Sequence, residues 1–472
     1  MKAKNSLAKA IFICAAVCSV AFISCEKSDV KSDNNYVNSW ILDTMQIYYF
    51  WNEQIPQNPN KEQAPDDFFH SLLYKYSQLD GDRFSWIQEN YVDLLNSLSG
   101  VSSGDIGFEY TLYRYNSTAV FGEVLYVKPG TNAKAQGVKR GDAFLKIDGT
   151  AMDLSNYQSL LQKNPMNITF AEPVLVGNNI SFNNEKTVAI TKAQYTENPV
   201  FFDSVYNENG KKIGYLVYNF FASDGGNNSA QYDKNLNAVF AKFKSAGIDN
   251  LIVDLRYNSG GSTTSATRLA SMIVRSLNTN NIFYILRFNS LLEGYWGQEK
   301  EKFVSSINTE NINNVGDNLQ KICFITSGWT ASASEMVISG IKPFMNDKII
   351  IVGDTTVGKS YASVSFYNMN DTRNKWGLQP LIAKYTNGSG DEVPATGIIP
   401  HYVLNESSIM PKKQIGDPNE DLLKASIAII SGLSPTQKMQ KATTTKNQII
   451  IGTSINKKAY SNQAVLDRVR KN

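Results

Sequence analysis

Histidine is almost missing from this chain: its 472 residues include two, His70 and His401. A nucleophile–histidine pair therefore has few ways to be built, and a histidine-rich metal centre has none. Cysteine is nearly as scarce, with four residues at positions 14, 18, 25 and 323. No CxxC pair and no Cys/His cluster occurs, which argues against a zinc site and against a disulfide scaffold. Cys323 lies in the apolar run KICFIT and reads as a buried core residue. The net charge is only +3, and no basic block interleaves with aromatic residues, so nucleic acid is not an expected partner. The hydrophobic share of 42% is that of an ordinary globular protein, long enough here for two to four domains.

Long hydrophobic runs are few. The most apolar, AIFICAAVCSVAFI, follows the basic stretch MKAKNSLAK. It has the length of a signal peptide and falls short of the roughly 20 apolar residues that span a bilayer. Cys25 follows the small Ser24, and polar EKSDVKSDNN comes next. This resembles a bacterial lipoprotein signal in which Cys25 carries the lipid. On that resemblance residues 1–25 are a signal peptide and 26–36 a tether. The protein is then lipid-anchored in a bacterial cell envelope, periplasmic or surface-exposed, with the membrane as a partner. An ordinary cleaved signal peptide is the plainer alternative.

The remaining chain changes pattern twice. Residues 37–99 read as helical: VNSWILDTMQIYYFW has apolar residues at helical spacing, IPQNPNKEQAP breaks it, and DDFFHSLLYKY starts a second helix on two acids. His70 belongs to that helix, as a surface or partly buried residue. Residues 100–195 read as short strands and turns. There VKPGTNAKAQGVKRGDAFLKIDGTAM resembles the PDZ pattern, and GDIGFEYTLY resembles the PDZ carboxylate-binding loop around Ile106, Gly107 and Phe108. Such a unit adds a peptide to a sheet edge and holds a terminal carboxylate on backbone N–H groups. A small β domain whose glycines serve turns only is the alternative. Residues 196–436 alternate strands with amphipathic helices, which predicts an α/β core with a mainly parallel sheet. Residues 437–472 form a polar C-terminal extension in which TTTKNQIIIGTSI reads as an added strand.

Three buried strands of the core run into loops: DLRYNSGG, TSGWTASASE and GDTTVGKS. Loops at the carboxyl ends of such strands are where α/β sites gather. They offer glycine amides, serines at a helix start, and Lys359. A serine needs a base, and a lysine serves when burial lowers its pKa to roughly 7–8. Against this, Ser332-Ala-Ser-Glu335 also satisfies the helix capping box, Ser334 fits the first helical turn, and Lys359 fits a solvated loop. The residues alone leave these alternatives open. TTVGKS lacks the first glycine of a phosphate-binding loop, so no nucleotide is expected.

Taken in order after a PDZ-like region, DLRYNSGG, TASASE and VGDTTVGKS resemble the C-terminal processing peptidases, also called tail-specific proteases. So do DEVPATGIIPHYVL, GDPNEDLLKASIAII, and the leading VNSWILDTMQIYYFWNEQIP and GDRFSWI. The resemblance covers roughly residues 37–432. It implies a multidomain α/β protein: an N-terminal helical region, a PDZ-like β domain and a core of the crotonase/Clp-like type. It implies a serine endopeptidase with Ser332 as nucleophile and Lys359 as base. The oxyanion donors would be the amides of Ala333 and of Gly260 or Gly261. Substrates would be unfolded or exported proteins, cleaved near apolar C-termini. No metal or cofactor is implied, and the helical region of relatives often supports a homodimer. Thr330 replaces the family's first serine. Ser363 stands where many members have a glutamine that orients the lysine. A catalytically silent, lipid-anchored peptide-binding scaffold is the second reading. A glycan-binding surface lipoprotein, resting on aromatic richness alone, is the third.

Overall fold

The computed structural model describes residues 30–176, 179–433, 448–455 and 463–466. The signal-peptide segment with Cys25, the start of the tether and most of the C-terminal extension lie outside those residues. No helix among the described residues is long and apolar enough to cross a membrane.

The leading region contains helices Val30–Tyr48, Pro65–Ser71 and Tyr91–Leu98. The second starts on proline with Asp66 and Asp67 in its first turn, a good match to a helix N-terminus. Val37, Ile41, Leu42 and Met45 form one stripe of the first helix. They bury against Phe68, Phe69 and Leu72, and against Leu378 from the far part of the chain. The strand Trp86–Gln88 also pairs antiparallel with Gly377–Gln379. This region is thus tied into the core rather than hung beside it.

The middle region is an antiparallel sheet. Its order is Ile449–Thr453, Phe108–Arg114, Val120–Val127, Ala143–Ile147, Met166–Val176 and Asn179–Ile190. Asp148 and Gly149 have φ of 50° and 75°, which closes the two-residue hairpin at Ile147 and Thr150. The added strand expected in the C-terminal extension is present, and it joins this sheet.

The core holds two six-stranded sheets. In the first, Lys211–Tyr218, Asn250–Asp254, Lys321–Thr326, Ile349–Gly353 and Tyr402–Val403 run parallel, with Val200–Glu208 antiparallel at one edge. Alternation along these strands sorts the packing. Leu251, Val253, Ile322 and Phe324 face one hydrophobic cluster, while Ile252, Cys323 and Ile325 face another, capped by helix Asp421–Ile430. The first cluster joins Met336 and Ile341 of helix Ala333–Met345 and Leu269 of helix Thr263–Ile273 to Phe283, Ala383 and Tyr385 of the second sheet. Mixed α/β architecture was expected. The second sheet was not, because its short strands Gly260–Ser262, Tyr361–Ser363 and Gln463–Val465 carry no period of their own.

A buried ion cluster fastens the antiparallel unit to the core. Arg140 binds Glu406 and meets Tyr257, while Arg256 reaches Glu406 at 2.8 Å and Glu420 at 2.7 Å. The two guanidinium groups hold the Glu406 carboxyl well below the usual carboxylate range despite its burial.

Candidate active site

Because three neighbouring strands run parallel, their exit loops lie side by side. Backbone and hydroxyl bonds then knit the loops together. Ala331 N–H donates to the Asn258 carbonyl at 3.2 Å, Val357 N–H to Thr330 at 2.9 Å, and the Thr330 hydroxyl to Leu255 at 2.8 Å.

Ser332 sits where the second loop enters helix Ala333–Met345. Its φ is 62°, a conformation that costs a side-chain-bearing residue on the order of 1–3 kcal/mol. The surroundings hold it there: its N–H donates to the Glu335 carboxylate at 2.6 Å and its carbonyl accepts from Met336 at 2.7 Å. The Ser332 side chain faces the Glu335 N–H in a capping box, and Oγ is buried without a hydrogen bond of normal geometry. Ser334 differs, since its hydroxyl donates to the Asn258 carbonyl at 3.0 Å.

Lys359 is fully buried. Burial pushes its ammonium down to about 7, with Asp82 and Glu335 pulling the other way. Its Nζ lies 5.2 Å from the Phe84 ring centroid. Two side chains staple its backbone to that of Ser332. The Glu335 carboxylate accepts from Ser332 N–H and also from Gly358 N–H at 2.7 Å and Lys359 N–H at 2.9 Å. Burial holds the Glu335 carboxyl above the ordinary range, opposed by these donors and by the Thr356 hydroxyl. The Tyr385 hydroxyl donates to the Lys359 carbonyl at 2.6 Å and reaches the Ser332 carbonyl at 3.2 Å. From the N-terminal region, Arg83 donates to the carbonyls of Gly358 at 3.1 Å and Ala395 at 3.0 Å. Gly358 has φ of 83°, and a Cβ there would lie 2.3 Å from the Ala395 carbonyl oxygen.

The other sequence-derived positions fall as follows. Gly260 N–H donates to the Asn258 side chain at 2.9 Å. Gly261 is in the strand Gly260–Ser262, whose Gly260 carbonyl and Ser262 N–H both bond Phe221. Strand alternation therefore turns the N–H and C=O of Gly261 to the opposite side. Ala333 N–H is in the first helical turn, where no intrahelical acceptor exists. The Ser363 hydroxyl donates to the Ala464 carbonyl at 3.3 Å. Ile106, Gly107 and Phe108 lie in the antiparallel unit. Phe108 is buried in its core, and Gly107 N–H donates to the Asp105 carboxylate at 2.7 Å. His401 accepts from Ile351 N–H at 2.9 Å, and His70 stacks near Phe69 and Tyr76. Among the described residues, no group of His, Cys, Asp or Glu is arranged to hold a metal ion.

A model of peptidase family S41 matches residues 212–404, and one of the S41 N-terminal domain matches residues 36–86. By these two matches the chain carries peptidase S41 domains. A carboxyl-terminal-processing protease of Picosynechococcus is 25% identical over 329 residues, covering 68% of this chain and 69% of that protein. The chloroplastic C-terminal processing peptidase of Tetradesmus obliquus is 24% identical over 294 residues, 60% of this chain and 56% of that one. The solved structure of a Bacteroides fragilis protein assigned to S41 is 26% identical with a TM-score of 0.71, over 84% of this chain and 98% of its own. The S41 match indicates a serine-type peptidase acting on proteins or peptides. From the sequence Glu335 reads only as a capping residue, and Tyr385, Asp82 and Asn258 do not stand out. Glu335 was signalled by its place three residues after Ser332. Tyr385 carried no local signal.

Proposed function

We propose that the protein is a serine endopeptidase that cuts unfolded or exported polypeptides near apolar C-termini through a Ser332–Lys359 dyad. Neutral Lys359 takes the Ser332 proton as Oγ attacks the scissile carbonyl. The tetrahedral oxyanion is met by Ala333 N–H and a glycine amide of the Gly260–Gly261 turn. Lys359 then protonates the leaving amine, and a water activated by the same lysine hydrolyses the acyl-enzyme. The observation that carries this reading is Lys359: fully buried, brought to about 7, and pinned through Glu335 and Tyr385 to the residue bearing an unengaged hydroxyl. Ser334 is the weaker candidate, because its hydroxyl already serves Asn258. The antiparallel unit acts as a PDZ-like peptide-binding domain, the core is of the crotonase/Clp-like type, and Cys25 is the lipid anchor in this reading.

Protein starting at residue 26 is incubated with an unfolded protein bearing an apolar C-terminus, and cleavage is followed by mass spectrometry. Cleavage lost in Ser332→Ala and Lys359→Ala but kept in Ser334→Ala is the expected result. Cleavage that survives Ser332→Ala would sink the dyad.

A further inference from the structure

The two edges at which a peptide would be read are both already taken, and by the same part of the chain. Ile449–Thr453 pairs antiparallel with Phe108–Arg114, the strand that follows the Ile106–Phe108 loop. Ile451 packs on the apolar core of that unit, as Ile106 and Tyr157 do. The pairing continues through Ser454, whose N–H donates to the Tyr110 carbonyl at 2.9 Å and whose hydroxyl accepts from Tyr110 N–H at 2.8 Å. Ile455 then packs against Leu125, Tyr126 and Tyr257, the last from the glycine turn of the core. Gln463–Val465 pairs in parallel with Gly260–Ser262 on one side and with Tyr361–Ser363 on the other. It is wedged between the strand that carries the oxyanion glycines and the strand that follows Lys359. The N–H and C=O of Gly261 face it, and Ser363 donates to Ala464 at 3.3 Å and accepts from Leu466 N–H at 2.9 Å.

We propose that the segments 448–455 and 463–466 are a resident peptide ligand of this protein, the first held at the sheet edge of the antiparallel unit and the second in the peptidase cleft, and that a substrate must displace them. What displacement releases rests on the peptidase reading. The chemistry of the occupant is that of a substrate: extended backbone, branched aliphatic side chains at one edge, small and aliphatic Ala464-Val465-Leu466 at the other. Because the two contacts lie on one chain, each raises the effective concentration of the other. The apparent affinity for a substrate is reduced by the fraction of molecules in which the tail is docked.

Three forms test this: the chain 26–472, the same chain ending at residue 447, and full-length Ala464→Asp, with folding checked by circular dichroism melts. A dye-labelled synthetic peptide of residues 448–466 is the ligand, followed by fluorescence anisotropy. A quenched unfolded protein reports cleavage at subsaturating concentration. The shortened chain should bind the peptide at least about tenfold more tightly than the full chain. Both altered forms should cut about tenfold faster, and added peptide should slow the shortened form again. A folded shortened chain that neither binds the peptide nor cuts faster overturns the proposal. If the shortened chain fails to fold, Ala464→Asp decides: native melting with an unchanged cleavage rate makes the segment a structural strand and overturns the proposal. If no form cuts any substrate, the peptidase reading fails separately, and peptide binding by the shortened chain alone still supports the resident ligand.

Discussion

Among the described residues three lysines are buried, and the molecule treats them in two ways. Lys128 is packed among Asp105, Glu109 at 2.8 Å and Glu197 at 3.4 Å. Lys412 meets Glu123 at 2.7 Å and the Ile409 carbonyl at 3.2 Å. Around Lys359 the nearby carboxylates have other donors. Asp82 accepts from the N–H groups of Phe84 at 2.9 Å and Ser85 at 2.8 Å, and from the Ser85 hydroxyl. Glu335 accepts from three backbone N–H groups and Thr356. Their charge reaches Lys359 only as a partial correction to desolvation. Burial by itself therefore does not make a lysine a base. At Lys359, carboxylates that already accept from other donors offset only part of the desolvation.

Substitutions at these lysines should separate the two cases. Lys359→Met should lower kcat/KM by about 10³-fold or more, read with the quenched substrate. In the parent protein kcat/KM should climb through about pH 7 as Lys359 becomes neutral. Melting curves carry the sharper contrast. The Lys359 pKa is lowered from 10.5 to about 7, so the unfolded chain binds more protons between those values. The cost of burying this lysine is fully present below pH 7 and vanishes above pH 10.5. Lys359→Met should therefore stabilise the fold, most at pH 7 and below and hardly at pH 10.5.

Lys412→Met should do the opposite, costing roughly 3–5 kcal/mol because Glu123 is left buried without its cation. The same sign of change at both lysines would break the comparison. Glu335→Gln should reduce kcat/KM by about 10- to 100-fold through loosened loops. It should also move the pH limb to lower pH, since the carboxylate raises the lysine pKa. An unmoved limb would remove Glu335 from the electrostatics. The smallest effect should come from Ser334→Ala: about 1 kcal/mol of stability and little change in cleavage.

Much of the site was legible because it lies on three loops, each announced by a buried strand and a glycine or serine cluster. DLRYNSGG, TASASE and VGKS each declare a loop; order and resemblance joined them. The unbroken apolar run Leu251 to Val253 and the glycine after Ala246 make the parallel sheet and its helices readable. What stayed hidden depends on partners far along the chain. Tyr385 looks like any strand tyrosine until its hydroxyl is seen between Ser332 and Lys359. Gln463–Val465 is a strand only because two others accept it. Three residues with no period of their own give a sequence reader nothing to hold.

The Arg83 contacts have a consequence for the life of the chain. The guanidinium near the start of the molecule closes on carbonyls at Gly358 and Ala395, about three hundred residues later in synthesis. The loop that presents the base is therefore finished by the first part of the chain to emerge and the last part of the core to follow. A nascent or misfolded copy lacks these contacts to the loop that carries Lys359. On the dyad reading, competence to cut is in this way a certificate of complete folding.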